Sequence, residues 1–128
     1  MQQSVPQHPG ATQGSGPLSR LERAVLTAML KGDGDAFAAL RAQLARATVA
    51  SRTHSGVGFV TRIAVPHDAP ALGEAASPGL RPVIAAHPRL VERAEFLLQL
   101  RGGRLAVLEA YCYAGGWPAD EDEFQVVA

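Results

Sequence analysis

The stretch E-F-L-L-Q-L-R-G-G-R-L-A-V-L-E-A-Y-C-Y, residues 95–113, decides how the rest of the chain is read. Gly102-Gly103 supplies the two positive-φ residues that a tight hairpin turn requires, and apolar runs flank the pair on both sides. Counting outward from the turn pairs Leu100 with Leu105, Leu98 with Val107 and Phe96 with Glu109 on one face of a two-stranded unit. The other face then holds Gln99 with Ala106, Leu97 with Leu108 and Glu95 with Ala110. This counting sets Glu109 among apolar side chains, where a carboxylate must be paired, raised in pKa or placed near a sheet edge.

Upstream, G-V-G-F-V-T-R-I-A-V alternates with a period of two, so that Val57, Phe59, Thr61, Ile63 and Val65 share a face and Pro66 ends the strand. The preceding T-H-S-G has the glycines and hydroxyls of a phosphate loop but no following lysine, and strand rather than helix comes next. Gly56 and Gly58 therefore read as a bulge, a sharp twist or a close approach of another backbone. Residues 66–82 hold four prolines and two glycines and read as a long irregular loop. Val83 to Ala86 reads as a short strand, and Phe124, Val126 and Val127 as an edge strand after an acidic run.

The N-terminal half follows a helical period instead. Ser19 followed by Glu22 forms a capping box, and Leu21, Val25, Ala28 and Met29 recur on one side, leaving Arg20, Arg23, Thr27 and Lys31 to water. Gly32 and Gly34 stop this helix, and Asp33 or Asp35 caps a second with Phe37, Leu40, Leu44 and Ala47 as its apolar stripe. Residues 1–17 carry no charge and few large apolar side chains, and read as a flexible tail before a single domain over 18–128. The expected fold is α+β: an N-terminal helical hairpin packed on an antiparallel sheet of four to five strands.

The 128 residues have a formal net charge of zero and are 47% apolar, enough for one core. The arginines are scattered without an aromatic-rich basic stripe, so nucleic-acid binding is not expected. With Cys112 the lone cysteine no internal disulfide forms, and the chain lacks a signal-peptide pattern or a membrane-length apolar run. A cytoplasmic protein is expected. His54, His67, Asp68, His87 and Glu109 show no metal-ligand spacing, Cys112 reads as a small buried hydrophobe, and no serine sits in a nucleophile elbow. No metal or cofactor is expected.

L-x-x-L-E-x-x-V-L (Leu18 to Leu26), A-L-R-A-Q-L (Ala39 to Leu44), S-R-T-H-S-G-V-G-F (Ser51 to Phe59), L-E-A-Y-C-Y (Leu108 to Tyr113) and Trp117-Pro118 together resemble a family of short, uncharacterised bacterial proteins. The resemblance implies a stand-alone bacterial domain and brings no catalytic residues with it. It departs at the long 66–82 loop and at V-E-R-A-E before Phe96.

Two functions follow from the residues. The first is a non-enzymatic protein-interaction domain, adaptor or immunity-like, that meets a protein partner through Trp117, Asp120, Glu121 and Tyr113, an aromatic anchor beside an acidic rim. The second is a small-molecule-binding or hydrolytic domain in which Arg52, His54 and Glu109 converge on a pocket.

Overall fold

The capping box forms as the sequence requires. In the computed structural model, which describes residues 12–13, 15–73 and 77–127, Glu22 N–H donates to Ser19 Oγ at 3.0 Å and Ser19 N–H donates to Glu22 Oε1 at 2.7 Å. They open α1 (Arg20–Met29), whose Leu21, Val25, Leu26 and Met29 are buried. The second helix, α2 (Asp35–Arg46), starts from Gly34 at φ 104° with no side-chain cap. Asp33 and Asp35 therefore do not cap it; Asp35 instead lies in its first turn, where the helix dipole favours an acid. Arg41 of α2 donates to Leu30 O at 2.7 Å and Gly32 O at 2.8 Å, satisfying carbonyls left open at the end of α1.

The sheet is wider than the expected four to five strands. Among the described residues it has eight: β1 (Thr12–Gln13), β2 (Gly16–Pro17), β3 (Thr48–His54), β4 (Gly58–Ala64), β5 (Val83–Ala86), β6 (Ala94–Arg101), β7 (Arg104–Tyr111) and β8 (Gln125–Val126). Their order is β1-β3-β4-β7-β6-β5-β8, with β2 also pairing β3, and every pairing is antiparallel. The strand missed most plainly is β3, T-V-A-S-R-T-H, whose polar residues hide its alternation. Of the expected flexible tail, residues 1–11 and 14 lie outside the described residues, while Thr12–Gln13 and Gly16–Pro17 join the sheet edge.

Two single-residue bulges decide which side chains face the helices. In β3, Val49 pairs Ile63 but Ser51 pairs Arg62, so Ala50 is an extra residue and Arg52 turns to the same face as Val49. In β7, Leu105 pairs Leu100 but Val107 pairs Gln99, so Ala106 is extra. Beyond it the ladder reads Leu98 with Leu108, Leu97 with Glu109 and Phe96 with Ala110. The hairpin turn is where it was expected, with Gly102 at φ 59° and Gly103 at φ 74°. The count from it slips by one after Ala106, which moves Glu109 off the core face, since a one-residue shift exchanges faces.

Both helices lie on one side, α1 against β5 and β8 and α2 against β7. Phe59, Ile63, Val83, Ala85, Phe96, Leu108 and Ala110 of the sheet meet Val25, Leu26, Leu40 and Leu44 of the helices in a single core. The 66–82 loop is tied down by buried Gln43, which donates to Pro70 O and Gly103 O and accepts from Leu105 N–H. The glycines of T-H-S-G-V-G-F have backbone work. Gly56 turns at φ 89°, and a Cβ on Gly58 would stand 1.8 Å from Ala110 O of the neighbouring strand.

Gly58→Ala is therefore expected to lower the urea-unfolding free energy by at least about 2 kcal/mol, because β4 and β7 must part. Gly79→Ala, with nothing within 4 Å of the added carbon, is the control and should stay within about 0.5 kcal/mol of wild type.

Candidate functional site

Among the described residues Glu22 is a fully buried carboxylate, and the sequence marks it as half of a capping box. Its side chain is fully shielded, and four donors saturate it, two on each oxygen. Ser19 N–H at 2.7 Å and Arg52 Nη2 at 2.5 Å reach Oε1, while Arg52 Nε at 2.8 Å and Thr61 Oγ1 at 2.5 Å reach Oε2. Burial, the largest influence, raises the carboxyl pKa, but the hydrogen bonds from Arg52, Thr61 and Ser19 and the Arg52 charge outweigh it and hold Glu22 below its ordinary value. Arg52 is correspondingly raised, first by its hydrogen bond to Glu22 and also by the charge of Glu121. A signal for Glu22 was present: it lies between Leu21 and Val25 on the apolar side of α1.

Beside this clamp stands an aromatic cluster. Trp117 meets Phe59 and Phe96 edge-on at 5.6 and 6.0 Å and stacks on Phe124 at 4.9 Å. Its indole N–H donates to Glu121 Oε2 at 2.7 Å. The ring is thus half-buried and packed against the core, which makes it a plug rather than a free anchor. Asp120 is also engaged: its carboxylate accepts from Asp122 N–H, and its carbonyl lies 2.7 Å from His87 Nε2. Because His87 Nδ1 accepts from Arg89 N–H, Nε2 carries the proton and donates to Asp120. Tyr113 is exposed, and its hydroxyl donates to Glu95 Oε1, which also accepts from Tyr111.

Glu121, Phe124 and Val126 line one wall of a groove of about 730 Å³ whose other wall is α1. Arg20, Arg23 and Lys31 line the helical rim, Glu121 and Asp122 form an acidic lip, and Leu21, Ala24, Ala28, Phe124 and Val126 give the floor. Along this groove runs the outer edge of β8, which among the described residues pairs only with β5. Val127 N–H donates to Ile84 O, so by antiparallel alternation Val126 turns its own N–H and C=O outward.

The three residues expected to converge do not. Arg52, opposite Thr61, and His54, opposite Phe59, lie on the helix-covered face. Glu109, opposite Val60 and Leu97, is exposed on the other face. The bulge at Ala106 is the reason, and it puts the three residues of the expected site on opposite faces of the sheet. Cys112 is buried, its thiol pKa raised by desolvation, with Sγ 3.7 Å from Gly115 O. Among the described residues no three His, Cys, Asp or Glu side chains are placed to hold a metal ion, and no helix is long and apolar enough to cross a membrane.

No protein-family model, curated protein or solved structure matches this chain.

A carboxylate whose folded pKa is depressed stabilises the fold above its unfolded value and loses that contribution as pH falls through the folded one. Wild type should therefore lose stability on acidification below pH 4.5, the ordinary value for Glu22. Glu22→Gln should be less stable by about 3 kcal/mol at neutral pH, since it removes the buried carboxylate charge that pairs with Arg52. It should also show a shallower acid limb in urea unfolding followed across pH; an unchanged limb would exclude Glu22 as its source.

Proposed function

We propose that this chain is a non-enzymatic protein-interaction domain of the bacterial cytoplasm, an adaptor or immunity-like binder, whose contact surface is the groove between α1 and β8. The groove itself carries the reading. It combines an apolar floor, a charged rim and a strand edge that is unpaired among the described residues, the features by which a sheet accepts an extended segment of another protein. The partner segment pairs its backbone with Val126 and drops alternate apolar side chains toward Ala24, Ala28 and Phe124. Its other needs follow from charge: acidic residues facing Arg20, Arg23 and Lys31, and basic ones at the Glu121 and Asp122 lip.

Within this reading Trp117 and Glu121 keep the roles of interaction residues by a different route. Trp117 holds the acidic lip in place through its N–H, and Glu121 presents the charge. Asp120 shapes the turn behind them. Tyr113, joined to Glu95 and Tyr111, stands away from the groove lining. Truncating Trp117 is consequently a poor test, because it opens the aromatic cluster and disturbs the core.

A photo-crosslinking residue at Thr27, on the groove wall, is expected to capture a discrete partner in cells of the source bacterium. The same residue at Val91, 97% exposed and outside the groove, should not. Arg20→Glu combined with Arg23→Glu should abolish the Thr27 adduct while leaving the unfolding curve unchanged. Equal adducts from both positions, or an adduct with only a second copy of the chain, would remove the groove as the partner site.

A further inference from the structure

The sheet has a second face, and neither helix touches it. Among the described residues of the long loop, Leu72 and Leu80 pack against the core on the helix side. An antiparallel sheet with one face in water normally presents polar side chains there. This one mixes polar and apolar residues: across β4, β7 and β6 the outward rows are Gly58, Tyr111, Glu95, then Val60, Glu109, Leu97, then Arg62, Val107, Gln99. Val60 is 37% exposed, and Leu97 and Val107 are partly exposed without joining the core. Val60, Val107 and Leu97 are diagonal neighbours on these ladders and make an apolar seam through a polar face.

Its charges say what the interface is. Arg62 and Glu109 lie diagonally across the β4–β7 ladder, within reach of long side chains, yet among the described residues neither forms an ion pair. Each is an exposed charge of opposite sign, beside the same apolar seam. We propose that this face joins two copies of the chain, sheet against sheet, with Arg62 of each opposite Glu109 of the other. A two-fold axis lying in the interface and bisecting the Arg62 to Glu109 diagonal places both charges at once, so one operator makes two ion pairs. Around them Val60, Leu97 and Val107 of the two copies interdigitate as in the core of a two-sheet sandwich. The groove between α1 and β8 lies on the other side of the sheet and stays open, so this inference stands or falls apart from the partner site.

Sedimentation equilibrium of the full chain tests it. Wild type is expected at twice the 13.4 kDa chain mass. Arg62→Glu and Glu109→Arg, each at an exposed position that leaves the fold intact by circular dichroism, are each expected to weaken the dimer by at least about tenfold through like-charge contact. The double variant Arg62→Glu/Glu109→Arg restores the complementary pairing and should return the dimer. A wild-type chain that stays monomeric to about 100 µM overturns the proposal, as does a dimer that ignores the charge reversals or is not restored by the swap.

Discussion

The buried carboxylate of Glu22 is the constraint on which the rest of this structure depends. Taking a charge out of water costs several kcal/mol, and only a saturated set of donors makes such a site tolerable. Here the donors come from three separate parts of the chain: the backbone of Ser19 before α1, the guanidinium of Arg52 on β3 and the hydroxyl of Thr61 on β4. The helix layer can therefore sit on the sheet in only one register, because sliding α1 along β3 and β4 would strand a charge. Apolar packing between the layers is permissive by comparison, since Leu and Val accept many neighbours.

From that clamp the geometry spreads to the surface. With α1 fixed over β5 and β8, its polar side bearing Arg20, Arg23 and Lys31 faces the C-terminal segment. The charge of Glu121 acts on Arg52 while its carboxylate holds the Trp117 indole, so the acidic lip is linked to the same charge set that holds the helix. The groove is thus a consequence of internal order and is available without rearrangement of the backbone. The opposite face of the sheet inherits what the clamp leaves out, including Arg62 and Glu109.

Much of the fold was legible in the chain. The capping box, the Gly102-Gly103 hairpin and the inward set Phe59, Thr61 and Ile63 all stand where their spacing put them. The misplacement of Glu109 has one cause: periodicity assumes an uninterrupted ladder, and bulges at two alanines interrupt it. Ala106 turns Glu109 outward, and Ala50 turns Arg52 inward, yet neither residue carries a mark in the sequence that a bulge requires. The candidate site was legible in part: Glu121 and the acidic run were visible, but the role of α1 as the opposite wall needed the strand order. Glu22 was visible only as a cap, because one side chain was doing two jobs and the simpler one accounted for it.

A double-mutant cycle on Glu22 and Arg52, with unfolding free energies for wild type, Glu22→Gln, Arg52→Met and the pair, tests the clamp most directly. Strong coupling is expected, with the double variant recovering at least about 2 kcal/mol relative to the sum of the single losses, because each single change breaks the same pair of contacts. Losses that add to within about 0.5 kcal/mol would show that the two residues act independently and that the helix layer is held by something else.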